Sequence, residues 1–117
     1  MKIGSIVTNC YEFAKMVAFW KEALHYEVRG EISADWAVLT DPQKQGPNMS
    51  FQKRDKKRDR RSWIHLDLYA EGKKEQAAEV ERLCKIGAKK YPWRYPEGAD
   101  YVVLEDPDGN LFCVVQK

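Results

Sequence analysis

Apolar residues in this chain follow two rhythms, period two and period 3.6, and the order of those rhythms occurs twice. Ile3 to Thr8 is a short β-branched run and predicts a strand. Asn9 followed by Glu12 forms a capping-box pattern, and Phe13, Met16, Val17, Trp20 and Leu24 then recur at helical spacing. The pattern predicts an amphipathic helix over 10–24. His25 stands where a helix-ending glycine is usual, and histidine is among the residues enriched at positive φ. Strands are predicted at Tyr26–Ile32, Trp36–Thr40 and Met49–Lys53. In the second half, Trp63 to Tyr69 alternates cleanly. Ile64, Leu66 and Leu68 share one face; Trp63, His65, Asp67 and Tyr69 share the other. Lys74–Ile86 reads as a helix burying Ala77, Val80, Leu83 and Cys84, stopped by Gly87. A short strand, Ala88–Tyr91, leads into the stiff aromatic loop Pro92–Pro96. A hairpin over 101–116 closes the chain through Asp106-Pro107-Asp108-Gly109-Asn110, a turn in which Pro107 presets φ and Gly109 supplies positive φ.

The two halves also share wording. Trp36 to Pro42 reads WAVLTDP and Tyr101 to Pro107 reads YVVLEDP, each followed by a glycine and a second apolar run. Such a repeat predicts two βαβββ modules, an α+β fold with helices outside a curved mixed sheet. The expected boundaries are about 1–53 and 62–117, joined by a linker at 54–61, within one domain of 117 residues.

Composition narrows the partners. The chain is 44% apolar and 32% charged, and its 20 basic and 18 acidic residues leave a net charge of +2, no polycation. Nucleic acid is therefore a disfavoured partner. The basic run Lys53–Arg61 has seven basic and two acidic residues but no interleaved aromatics, so it reads first as solvated linker and only second as an anion or nucleic-acid patch. Cys10, Cys84 and Cys113 are an odd, widely spaced set, as expected of reduced thiols in a cytoplasmic protein. No apolar run is long enough for a signal peptide or a membrane span.

The segments Ala18-Phe19-Trp20 and Leu24-His25-Tyr26, the strand Ile64–Leu68, the Gly87 stop and the Asp106–Asn110 turn together resemble the vicinal-oxygen-chelate superfamily, which includes glyoxalase I, bleomycin-resistance proteins, fosfomycin-modifying enzymes and extradiol dioxygenases. More narrowly the chain looks like the small glyoxalase-like domain proteins, which often begin Gly-Ser-Ile-Val and end Phe-Cys-Val-Val. The resemblance implies that the two curved sheets wrap a funnel. It further implies that metal-using members place one ligand at each of four positions, here Ser5, Gln52, His65 and Cys113. These residues depart from the anionic and imidazole sets that hold zinc, manganese or iron. A metal, if bound, would fall to His65, Gln52 and Cys113; Cys113, between Phe112 and Val114, also reads as a small buried hydrophobe.

Two functions follow. The first is metal-independent small-molecule binding, in an aromatic-lined funnel formed by Ser5, Trp36, Ser50, Gln52, Trp63, Tyr101 and Cys113, with Trp93 and Tyr95 over its mouth. No cofactor is then expected. The alternative is a metal-dependent lyase, isomerase or dioxygenase in which His65 is a ligand or general base and Asp67, facing the same way two residues on, is its partner. Same-face neighbours on a strand stand about 6–7 Å apart, so orientation of His65 by Asp67 is open. Both readings leave sheet edges and apolar surface that a short chain hardly covers, so a homodimer is expected.

Overall fold

The computed structural model describes residues 1–57 and 64–117. They form two compact units, one on each side of residues 58–63. The first unit runs β1 (Ser5–Cys10), α1 (Phe13–Leu24), β2 (Glu27–Val28), β3 (Trp36–Thr40), β4 (Asn48–Lys53). The second repeats that order: β5 (Leu66–Ala70), α2 (Gly72–Lys85), β6 (Lys89–Lys90), β7 (Tyr101–Glu105), β8 (Leu111–Gln116). The sheets are ordered β1-β4-β3-β2 and β5-β8-β7-β6. In each, the outer long strand pairs parallel with the last strand, and the remaining pairs are antiparallel. The repeated segments beginning at Trp36 and Tyr101 thus occupy the same third place, as expected.

Each sheet buries one face under its helix. In the first unit α1 packs on β3 and β4, burying Phe13, Met16, Val17, Phe19, Trp20 and Ala23 against Ala37, Leu39, Met49 and Phe51. Phe19 and Trp20 meet edge to face with ring centroids 5.1 Å apart, an arrangement that aligns ring edges with a π face. In the second unit α2 packs on β5 and β8, with Val80 and Leu83 over Phe112, Val114 and Leu104. The matched phenylalanines Phe51 and Phe112 are both sealed, as the repeat predicts.

Several element ends differ from the expectations. Asn9 is not an N-cap: its backbone belongs to β1, which stays paired with β4 through Cys10, so the helix starts only at Phe13. Glu12 precedes it without a side-chain cap. The strand expected over Tyr26–Ile32 is cut to Glu27–Val28, because the chain leaves the sheet after the Arg29 amide bonds Val38 and turns at Gly30, φ 70°. Ile64 is exposed, since β5 starts two residues later. On α2 the buried position is Gln76 and Ala77 is exposed. Gln76 is tolerated there because its amide donates to the carbonyls of Asp100 and Val114, both at 2.9 Å.

Both helices end the same way. The amide of Tyr26 reaches back to the Lys21 carbonyl and that of Ala88 to the Leu83 carbonyl, with His25 (φ 56°) and Gly87 (φ 128°) as the positive-φ residues between. Both Asp-Pro turns also share a device. Asp41 accepts from the amides of Gln43, Gln45 and Gly46, and Asp106 from those of Asp108 and Asn110 and from the Asn110 side chain. A carboxylate accepting several backbone N–H groups fixes a turn by satisfying donors that no ladder reaches.

Three outcomes follow. His25→Gly raises stability by about 0.5–1 kcal/mol in denaturant titration, the relief of a left-handed side chain less glycine's greater unfolded-state entropy. Asp106→Ala lowers it by about 1–2 kcal/mol, because half-buried donors lose a buried acceptor. Asp41 is held below the usual carboxylate range, first by the Gln43 amide and then by those of Gln45 and Gly46, against opposing desolvation. A folded-state pKa below the unfolded one stabilises the fold above the unfolded pKa, and that stabilisation is lost as pH falls through the folded one. The Tm deficit of Asp41→Ala is therefore largest near neutrality and shrinks in acid.

Candidate ligand-binding cleft

In the second unit, strand register settles what faces away from α2. Leu66, Leu68, Phe112, Val114, Val102 and Leu104 pair as one set of positions, and the buried members of that set lie under the helix. The alternate set forms rows across three strands: Asp67 beside Cys113 beside Val103, then Tyr69 beside Val115 beside Tyr101. His65, two residues before Asp67, falls on this second face. As the alternation predicts, His65 and Asp67 point away from the helix.

A cleft of about 410 Å³ lies on this face. Its floor is aliphatic: Val103, Leu111 and Val115. Trp93 and Tyr101 form aromatic walls, His65, Asp67 and Cys113 a polar corner, and Asp100 and Lys117 flank it further along. The Pro92–Pro96 loop, which brings Trp93 to the cleft, is tied down by side chains. The Trp93 indole N–H donates to the Tyr101 hydroxyl at 3.3 Å, and the Tyr95 hydroxyl accepts from the Val103 amide at 2.8 Å. Tyr95 and Tyr101 rings stand 5.6 Å apart, and Tyr91 and Trp93 6.2 Å. Because β6 has only two residues, it leaves most of the β7 edge unpaired. Tyr91 and Tyr95 take over that edge at Val103.

The polar corner is organised by Asp67. His65 Nε2 lies 3.2 Å from Asp67 Oδ1, so a neutral imidazole that donates there leaves Nδ1 as the free acceptor. Cys113 is half-buried in the cleft wall, not packed away as a core filler, because its strand position places it directly beside Asp67. Burial first, then the negative charge of Asp67 and a hydrogen bond from the thiol to it, push the Cys113 thiol up from its ordinary value. The thiol is therefore held protonated, which argues against a primed sulfur nucleophile. Nδ1 of His65 is the basic atom this corner presents.

The corner also changes the metal expectation. One donor atom from each of His65, Asp67 and Cys113 lies within 4.8 Å of the others. Asp67, absent from the ligand set inferred by resemblance, supplies the carboxylate that set lacked. Donors sharing one zinc ion stand roughly 3.3–3.8 Å apart; His65 Nε2 and Asp67 Oδ1, at 3.2 Å, are already that close, and no separation in the trio exceeds 4.8 Å. His65 and Asp67 are half-exposed and can rotate.

In the first unit the remaining candidates share the face away from α1. Ser5 and Ser50 are joined hydroxyl to hydroxyl at 2.6 Å, and Trp36 stands beside Gln52 in register. Ser50 is buried, whereas Trp36 keeps 38% of its surface exposed. Trp63 lies outside the described residues. The alternation missed Asp100, Leu111, Val115 and Lys117 as cleft residues. The last three could have been found by continuing the odd-numbered parity of Cys113 along β8 and one residue past its end, but nothing local marks Asp100.

The Glyoxalase-like domain family model matches residues 5–115. No curated protein matches the sequence. Among solved structures, a glyoxalase/bleomycin resistance protein/dioxygenase family enzyme from Burkholderia phytofirmans superposes with TM-score 0.80 at 14% identity, covering 99% of this chain and 98% of that one. A possible glyoxalase from Bacillus cereus gives 0.75 at 18% identity, covering 98% of each. The fosfomycin resistance protein FosX from Listeria monocytogenes gives 0.78 at 15%, covering 99% of this chain and 90% of that one. A mutant of FosX has been solved with Mn(II) and a dihydroxypropylphosphonic acid. At these identities the likeness concerns the fold. On the family match across nearly its whole length, this chain belongs to the glyoxalase-like domain family of the vicinal-oxygen-chelate superfamily.

Proposed function

We propose that the protein binds a flat, largely apolar small molecule in the cleft of its second unit, without needing a metal. The observation that carries this reading is the aromatic loop, tied by Tyr95 to Val103 and by Trp93 to Tyr101 beside an aliphatic floor, with His65, Asp67 and Cys113 grouped at one corner. Cavities of this size and character hold ligands by area and stacking, and a few polar groups set orientation. His65 and Asp67 orient the ligand in this reading, and Nδ1 of His65 is the group available if a proton is moved. Trp93 reports binding directly through its fluorescence. Trp93→Ala should weaken binding by about 1–3 kcal/mol, the scale of one lost stacking surface, while His65→Ala weakens it less than tenfold. Equal affinities for Trp93→Ala and the parent chain would remove the aromatic wall from the account.

The donor cluster supports a second reading, in which a divalent ion such as zinc is held by His65, Asp67 and Cys113. When bound, such an ion would supply Lewis acidity beside the aromatic walls, and the FosX structure with Mn(II) shows that a protein of this fold can hold one. Binding needs the Cys113 thiolate, which the corner disfavours. Affinity for zinc, measured by calorimetry, should therefore climb with pH up to tenfold per unit until the thiol titrates. Cys113→Ser should abolish that slope. A flat profile, or equal affinity in Cys113→Ser, excludes the thiolate site.

A further inference from the structure

We infer that the ligand class of this cleft is a neutral molecule with an apolar body and a hydrogen-bond donor, an O–H or N–H, at one end. The inference rests on the small-molecule reading above and adds what the ligand's polar end must carry. Its basis is the set of donors and acceptors at the corner of His65, Asp67 and Cys113, all three of which line the cleft. Asp67 Oδ1 lies 3.2 Å from His65 Nε2. In a neutral imidazole Nε2 is then the nitrogen that carries the proton, because a carboxylate only accepts. The Cys113 thiol turns its single proton to the same carboxylate. Both side-chain donors of the corner are thus engaged with Asp67, and neither is left for a ligand.

The acceptors are not used up. An ionised carboxylate offers about four lone-pair sites, and among the described residues Asp67 receives only the imidazole and the thiol. Nδ1 of His65 keeps its lone pair and has no partner among the described residues. The side chains of His65 and Asp67 are 55% and 47% exposed, so an incoming group can reach both. An apolar body laid over this corner strips water from those acceptors. A hydroxyl or N–H at its end replaces the lost bonds, whereas an ether or carbonyl oxygen brings lone pairs to lone pairs. The donors of this face stand further along. The Tyr101 hydroxyl accepts from Trp93 and keeps its own proton to give, and register sets Tyr101 beside Val115, two residues along β8 from Cys113. Lys117 follows two residues later, its ammonium 4.9 Å from the centroid of the Tyr69 ring. Asp67 and Lys117, the charged pair that register sets on this face, are of opposite sign and select neither an anion nor a cation, which leaves a neutral donor as the match.

The test uses the full chain and three naphthalenes of matched body, titrated by calorimetry at about pH 8, where an ordinary imidazole is neutral. They are 2-naphthol, which donates and accepts, 2-methoxynaphthalene, which only accepts, and 2-methylnaphthalene, which does neither. 2-Naphthol should bind about tenfold more tightly than the other two, the scale of one hydrogen bond to a charged acceptor, and the ether should bind no more tightly than the hydrocarbon. Asp67→Asn puts a donating amide where the acceptor stood and should narrow the naphthol-to-ether ratio to within about threefold; thermal unfolding confirms that the variant folds. Naphthol and ether bound equally by the parent chain would overturn the donor inference and leave the small-molecule reading standing. A ratio unchanged in folded Asp67→Asn would overturn its assignment to this corner. Failure of all three probes to bind would remove both readings.

Discussion

A four-stranded sheet covered by one helix on one face has only its other face to offer, and this constraint governs each half of the molecule. Side chains alternate strictly along a strand, so burying Phe112, Val114 and Leu104 under α2 commits Asp67, Cys113, Val103 and Tyr101 to the opposite side. The cleft is the complement of the core, not a separate construction. A one-residue slip of β8 against β5 would exchange the two sets, sealing Cys113 under the helix and turning Phe112 into the cleft.

Polar groups in this fold are settled by carboxylates acting as hubs. Asp41 and Asp106 each gather several donors of their own turns, and Asp67 gathers an imidazole and a thiol. The two kinds of hub differ in what surrounds them. The turn carboxylates receive backbone amides, which cannot change partners without unfolding the turn. Asp67 receives two side chains that can rotate, release a proton or accept a ligand. A shared acceptor with movable donors is the kind of arrangement on which binding or proton transfer is built, which is why the chemistry is assigned there and not to the turns.

Membership of the family leaves activity open, because the same sheet-and-helix module carries different residues on its open face in different members. At 14–18% identity to the solved structures compared above, the fold is retained while most side chains are not. Function must therefore be argued from the particular set present: His65, Asp67 and Cys113 grouped on the open face of the second unit, and Ser5, Ser50, Trp36 and Gln52 on the open face of the first.

What the sequence determined by itself is everything that depends on periodicity and on local turn chemistry. The βαβββ order, the matched places of Trp36 and Tyr101, the left-handed stop at His25 and the outward set of His65 and Asp67 were legible because each follows from spacing along one segment. Element ends were less legible: Asn9 carries an N-cap pattern, yet β4 claims its backbone, and local propensity cannot register a strand partner 43 residues away. The burial of Gln76 depends on two carbonyls, of Asp100 and Val114, that come together only after β7 and β8 have paired. Above all, the joining of Asp67 to Cys113 required the parallel register of β5 on β8. Sequence marks each of those residues as facing outward from its own strand; only the pairing of strands, set by long-range burial under α2, makes them neighbours.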